Sequence, residues 1–515
     1  VGGSVNDRFI PIFPPPGLYQ NGTKYQSKGR WFDGNLVRFY EGIVGPIGGW
    51  RPVLDDSVSP APLSVAADPR MALGWKSNDE ISFMAVGSTT KLQRYSDGVV
   101  NDITPVGLAV GNVDGKYTAG GYGEGPYGAG NYGTGTGAVT LIPADTWQLD
   151  NFGEDLIACY TADGRIFIAL FDGNPASPLS GAPISNNGVV VTPERFLVAL
   201  GAGGDGRTVQ WASQESTTDW VATDVNSAGQ FELATKGRLL AGRRGRLQTM
   251  LWTDVDVYTM TFVAGNAVYS FQQVGDNCGV ISPNGMITIG DVSYWMGREG
   301  KFFKYDGALQ PIKCDLIDFL RTDLNQEQQS KVVAVPNTLF DEVIWFYPGV
   351  GQVGTENDRY IAYNYVDGTW TKGLLGRGAA IDRGVFDRPV YVDAIGGLWE
   401  HEYADSRPGA GLPFIESGPI ELVDADVMRQ WSGTQALMKV NRYIPDAHTL
   451  GETRLFFYKA LFPTDVETLV GPINAAQPTS LRFQSRIVRL RIEEVTPSAW
   501  RVGVPRLGVT PGDMR

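Results

Sequence analysis

The sequence predicts a mainly β protein: a β-propeller of roughly seven blades with a C-terminal β-sandwich and one inserted amphipathic helix. Three observations carry this reading. The first is a succession of strand-like runs of about 5–7 residues in which aromatic and β-branched residues alternate with small or polar ones. Ile81–Val86, Arg165–Phe171, Val292–Met296 and Glu342–Tyr347 are examples. The second is a set of Asp-Gly dipeptides at 33–34, 97–98, 114–115, 163–164, 172–173, 205–206, 306–307 and 367–368. Asp-Gly supplies the positive φ that a tight hairpin turn needs. The third is recurrence. An aromatic stands just ahead of the turn in Leu92–Val100, Phe302–Leu309 and Ala362–Trp370. A strand-rich unit also returns about every 40–50 residues between about 65 and 405, the length of a four-stranded blade.

The elements follow in order. Residues 1–60 read as an N-terminal extended or platform segment, with four prolines between Pro11 and Leu18 holding the chain extended. Residues 61–410 read as the propeller. Within it, 315–328 breaks the β pattern: Leu316, Phe319, Leu320 and Leu324 share one helical face, Asp315 suits the N-cap and Asp318 the first turn. The spacing predicts a helix of about three to four turns whose apolar stripe docks on the propeller. Residues 411–515 lose the Asp-Gly repeat and alternate in Arg454–Tyr458, Leu481–Phe483 and Ile487–Ile492. That pattern predicts a sandwich of about 100 residues.

Composition narrows the function classes. The 515-residue chain has net charge −13 and no apolar run long enough to span a membrane as a helix. An acidic balance opposes a tight grip on nucleic acid, though it suits a surface past which nucleic acid slides. Cys159, Cys278 and Cys314 are too scattered for a disulfide framework or a zinc cluster. They read as small buried apolar residues of a protein made in a cytoplasm. Val1–Ser4 has neither the basic nor the apolar region of a secretory leader.

Little in the chain speaks for catalysis. The two histidines, His401 and His448, are far apart, and HExxH, nucleophile-elbow, P-loop and dinucleotide motifs are missing. No catalytic residue, metal or cofactor is therefore expected. Asp367-Gly368-Thr369-Trp370 departs from the sialidase Asp-box, which places one residue between Asp and Gly; it reads as a hairpin turn whose Trp packs between blades. Carboxylates are plentiful, so a carbohydrate-acting propeller enzyme, sialidase-like or a depolymerase, stays open. A propeller interaction scaffold is a further alternative.

Two features stand out as candidate contacts. A Tyr/Gly loop near 117–137 carries Tyr122, Tyr127 and Tyr132. Tyr offers contact area at low entropic cost, which suits a subunit contact; a disordered surface loop is the other reading. The cations cluster at Lys236, Arg238, Arg243, Arg244 and Arg246. Such a cluster touches phosphate, or forms a solvated loop or an intersubunit ion-pair patch.

Several segments, taken in order, resemble the nozzle or tail-hub proteins of short-tailed bacteriophages (podoviruses). They are Gly29–Phe39 with Pro46–Trp50, Trp147–Leu156, Val209–Ala212 with Thr218–Trp220, Leu251–Asp254, Cys278–Asn284, Tyr294–Gly300 and Asp341–Pro348. The resemblance is collinear over most of the chain, and none of its segments is catalytic. It implies a virion structural protein at the tail tip, a homohexameric ring below the adaptor or head-to-tail connector, with attachment surfaces for tail fibre or needle proteins. Double-stranded DNA would pass through that ring during ejection without specific binding, and residues 1–60 would lie against the adaptor. An acidic lumen fits this role, because it repels phosphates within a screening distance of about 8–10 Å.

Overall fold

The computed structural model describes residues 8–55, 61–117, 140–264, 267–351, 354–421, 437–446 and 451–511. Seven four-stranded antiparallel sheets succeed one another around a ring, making a seven-bladed β-propeller. Their first strands are Pro69–Lys76, Trp147–Phe152, Gly188–Val191, Leu239–Arg244, Met286–Ile289, Val333–Asn337 and Ala379–Ile381, in blades 1 to 7. Each first strand lies beside that of the next blade, and the seventh lies beside the first, so these strands line the central channel. Among the described residues no helix is long and apolar enough to cross a membrane.

Blades form where the alternation predicts them. Val292–Met296 and Glu342–Tyr347 are strands with those bounds, and Ile81–Val86 becomes Ser82–Ser88. Asp97 and Gly98 both take positive φ in the turn between Leu92–Ser96 and Val99–Asp102. Six of the Asp-Gly pairs turn the chain between consecutive strands of one blade. Two do not: Asp33-Gly34 lies inside the strand Trp31–Asn35, where the register slips, and Asp114-Gly115 lies in the connector between blades 1 and 2.

Tryptophans join neighbouring blades. Trp147 of blade 2 donates its indole N–H to the Ser88 carbonyl of blade 1 at 2.7 Å. The turn-following Trp370 packs between blades as expected: its ring lies 4.6 Å from that of Phe302 in blade 5, and its N–H reaches the Lys313 carbonyl. Such rings combine a large buried area with a polar edge that still finds a partner.

The last blade is completed by the other end of the chain. Trp50–Pro52 pairs with Leu398–His401 as the outer strand of blade 7, with Trp50 opposite His401 and Arg51 opposite Glu400. Trp50 is buried, stacks on the His401 ring at a 4.9 Å centroid distance and donates to the Pro408 carbonyl. Gly49 precedes it because a Cβ there would sit 2.1 Å from the Ser406 carbonyl oxygen.

Residues 1–60 are therefore not a segment of their own. Arg8–Pro11 forms an edge of one sandwich sheet, ordered with Arg506–Pro511, Met438–Ile444 and Thr479–Ser485. Trp31–Asn35 joins the other sheet, with Phe414–Ser417, Ile487–Glu494, Thr453–Ala460 and Thr468–Asn474. The sandwich thus draws on both chain ends, and the expected boundaries at 60 and 411 cut across it. A single buried cluster runs from Val440, Phe457 and Leu490 in the sandwich, through Trp31 and Phe39, to Met296, Trp345 and Trp370 of blades 5 and 6.

The inserted helix is shorter than expected, Ile317–Asp323, followed by a 3-10 turn at Gln326–Lys331. Leu324 turns extended and pairs with Gly349, and Asn325 caps the next turn by accepting from the Glu327 amide. Leu316, Leu320 and Leu324 enter the shared core as predicted. Asp315 does not cap the helix; it binds Arg30.

Because Trp50 is the anchor of the closing strand, Trp50→Ala should destabilise the protein by about 3–5 kcal/mol in denaturant unfolding, the usual cost of emptying a buried Trp site. A loss below about 1 kcal/mol would mean that the ring closes without it.

Candidate functional site

The propeller channel is where the chemistry-bearing residues of different blades meet. A cavity of about 530 Å³ opens at the end where the chain enters the first strands, walled by Asp145, Arg238, Asp254, Arg298 and Ser330 among others. A second cavity, about 220 Å³, lies further along, beside Met71, Asp150, Arg243, Arg244 and Ile287.

Side chains of blades 2, 4 and 5 close the channel at a waist. Gln148 donates its amide to Asn284 Oδ1 at 2.9 Å and to the Pro283 carbonyl at 3.0 Å. Asn284 Nδ2 reaches back to the Arg70 carbonyl at the start of blade 1, and Arg243 donates to Gln148 Oε1 at 3.0 Å. Burial lowers the Arg243 guanidinium from its ordinary pKa, with Asp150 opposing that shift. An arginine so placed stays charged and serves as a fixed donor.

Over the mouth lies a clasp. The pair Lys116–Tyr117 and Leu141–Ile142 forms a stem at the base of the Tyr/Gly segment. Gln328, in the connector between blades 5 and 6, donates to the Gly115 carbonyl and accepts from its amide. Beneath it, Lys331 pairs with Asp114 and Glu356 at 2.7 Å each, and Arg70 holds Glu356 through two bonds at 2.6 and 2.9 Å. The Lys331 and Arg70 side chains are almost fully buried, so Coulomb attraction is weakly screened there.

The mouth carboxylates are already engaged. Asp145 accepts from the Asn112 amide at 2.8 Å and from the Thr161 hydroxyl at 2.8 Å. Asp254 accepts from Arg298 at 3.1 Å and from the Arg238 amide at 2.8 Å. The Arg238 side chain is exposed and has no ion pair among the described residues.

The cation cluster is split by the fold. Arg238 stands at the mouth, Arg243 at the waist, and Arg244 beyond it, where it donates to Asn151 Oδ1 at 2.7 Å. Lys236 and Arg246 are exposed on the turns at either end of the strand Leu239–Arg244. The five therefore do not form one patch. Tyr122, Tyr127, Tyr132 and His448 lie outside the described residues.

His401 belongs to the ring closure. It is stacked between Trp50 and Tyr391, and Arg377 donates to its Nε2. Burial, then Arg377 and Arg38, hold its pKa well below the usual range, so the ring is neutral. All three cysteines are buried, and burial pushes the Cys159 and Cys278 thiols up to about 12. Among the described residues no group of three or more His, Cys, Asp or Glu is placed to hold a metal ion.

Sequence reasoning did not find Gln148, Asn284, Arg70, Lys331 or Glu356. Gln148 and Asn284 stand 136 positions apart, and Lys331 and Asp114 stand 217 apart. No local pattern signals such pairs.

No protein-family model matches the chain, and no curated protein matches it. Among solved structures, the WD40 domain of Neurospora crassa Pan2 is 8% identical over 65% of this chain and 89% of that one, with a TM-score of 0.36. A Bacteroides fragilis protein described as exported is 8% identical over 44% of this chain and 70% of that one, with a TM-score of 0.27. Likenesses this distant carry no functional argument; the blade order stands on the strand pairing itself.

The clasp makes a pH prediction. Burial alone would raise the Glu356 pKa, but hydrogen bonds and charge from Arg70 and Lys331 outweigh it and hold the carboxyl below its ordinary 4.5. A depressed folded pKa gives stability that is complete above about 4.5 and lost as pH falls through the folded value. Thermal melts should therefore show a drop in melting temperature below that pH, and Glu356→Gln should flatten it while lowering stability at neutral pH.

Proposed function

We propose that this chain is a non-enzymatic structural subunit of a short phage tail, a nozzle at the tail tip that assembles as a homohexameric ring. Docking to the tail adaptor and to fibre or needle proteins, and passage of genomic DNA through the ring, belong to the same proposal. The observation that carries it is the unbroken core between propeller and sandwich, which packs the two units into one body. The collinear resemblance, whose segments fall on both units, supports the same reading.

The closed waist bears on the DNA path. A channel hydrogen-bonded across by Gln148, Asn284 and Arg243 leaves no passage for a polymer, so DNA would run between copies and not through a propeller. Acidic side chains facing that lumen would let phosphates slide.

A second reading rests on the mouth cavity, which Asp145, Asp254, Arg238 and Arg298 line together. A carbohydrate-acting enzyme would use such a set. Hydrolysis of host-surface glycans that is lost in both Asp145→Asn and Asp254→Asn would establish it.

Native mass spectrometry and negative-stain imaging test the nozzle reading directly. A six-fold ring, formed alone or with tail partners, is the expected result, and a lasting monomer would overturn it. In a hexamer structure, a lumen lined mainly by Lys and Arg would overturn the sliding-surface part.

A further inference from the structure

The outer face of one sandwich sheet is basic on an acidic protein. Its four strands, Arg8–Pro11, Arg506–Pro511, Met438–Ile444 and Thr479–Ser485, contain no Asp or Glu. Arg442 stands opposite Gly508 on one neighbouring strand and opposite Ser480 on the other. Arg506 is two residues along from Gly508 and so a diagonal neighbour of Arg442, about 7–8 Å away. Arg482 is two residues along from Ser480, where the register shifts between Val440 and Arg442. All three are exposed, and none has an ion pair among the described residues. Phe9, 42% exposed, completes the face: its ring lies over Gly508 beside the Arg442 side chain.

A complementary surface lies on blades 1 and 2. Asp79 and Glu80 occupy the turn after Pro69–Lys76, Glu154 that after Trp147–Phe152, and Asp155 opens the strand Asp155–Tyr160 that follows. The Asn78 amide donates to Glu154 Oε1 at 2.6 Å and ties the two turns together. Asp172 lies in the last turn of blade 2, between Ile166–Ala169 and Ser177–Pro178, beside Leu170 and Phe171, which are 47% and 42% exposed. Burial raises the Asp155 pKa first, and the charges of Glu154 and Asp172 raise it further. None of the five carboxylates has an ion pair among the described residues. An apolar centre edged by charge is the composition of a docking surface.

One copy cannot bring these surfaces together. The sandwich shares its core with blades 5 and 6, and blades 1 and 2 lie across the seven-membered ring from them.

We infer that the Arg442–Arg482–Arg506 face of one copy docks on the Asp79–Glu80–Glu154–Asp172 end of the propeller in a second copy of this chain. The contact joins two different surfaces, so it is head-to-tail: repeated, it closes into a ring or grows as a filament. Complementary charge would fix its register and speed encounter. The inference deepens the ring reading by naming its contact, and it rests on that reading only for the number of copies.

Charge reversal of the full chain, read by sedimentation velocity, tests it. Arg442→Glu with Arg482→Glu should weaken self-association roughly tenfold or more, as should Glu80→Lys with Glu154→Lys. Raising salt from about 0.05 M to about 0.5 M should weaken the unaltered chain in the same direction. Mixing the two double variants at equal amounts should restore assembly, because each then presents the surface that the other needs. That rescue separates lost contact from failed folding. Assembly unchanged in either variant, or no rescue between variants with unaltered circular dichroism, would overturn the inference. So would Arg-dependent binding of a DNA duplex with no change in assembly state, which would assign the face to nucleic acid. A charge-dependent ring of other than six copies would keep this contact and overturn the hexamer; a six-fold ring blind to the charges would do the reverse.

Discussion

The pairing of Trp50–Pro52 with Leu398–His401 is the constraint on which the rest of the structure depends. It joins Arg51 to Glu400 across 349 positions and turns an open series of blades into a ring. Without it the third strand of blade 7 would present an unpaired edge, an aggregation hazard as well as a loss of hydrogen bonds. The entropic cost of closing so long a loop grows only with the logarithm of its length, so one short, well-anchored strand suffices. Trp50 supplies the anchor, fixed by its stack on His401 and its bond to Pro408.

The same N-terminal stretch also builds the sandwich, so ring closure and sandwich docking are one event in space. Trp31–Asn35 enters a sandwich sheet, and the hairpin Val37–Tyr40 with Ile43–Pro46 leads directly to the closing strand. Buried charges mark this junction. Arg38 binds Glu342 of blade 6 and Glu402 beyond blade 7. Burial raises the Glu342 carboxyl to about 6, against the opposing pull of Arg38. Such a cluster adds little net stability over well-packed apolar residues, but removing one partner strands a buried charge, so it enforces one arrangement of the crossing.

The sequence made the blades legible because their information is local. Alternation set the strands from Ser82–Ser88 to Glu342–Tyr347, and Asp-Gly set most of the turns between them. Asp33-Gly34 shows the limit: the same dipeptide that turns a hairpin elsewhere lies within the strand Trp31–Asn35, where pairing with Phe414–Ser417 overrides the local preference. The helical face of Leu316, Leu320 and Leu324 was legible too, but its end was not. Leu324 leaves the helix to pair with Gly349, a contact with no trace in the local pattern. The candidate site was least legible. Five clustered cations read as one patch, although a strand running along the channel distributes Arg238, Arg243 and Arg244 from mouth to far end.

By itself, then, the sequence determined the fold class, the approximate number of blades and the burial of its cysteines and inter-blade tryptophans. Each of these follows from residue type and short-range period. Tertiary structure decided which strands complete blade 7 and the sandwich, where the channel closes, and which charges meet. Those outcomes depend on pairings between residues hundreds of positions apart, such as Trp50 with His401 and Arg70 with Glu356, and short-range periodicity carries no information about them.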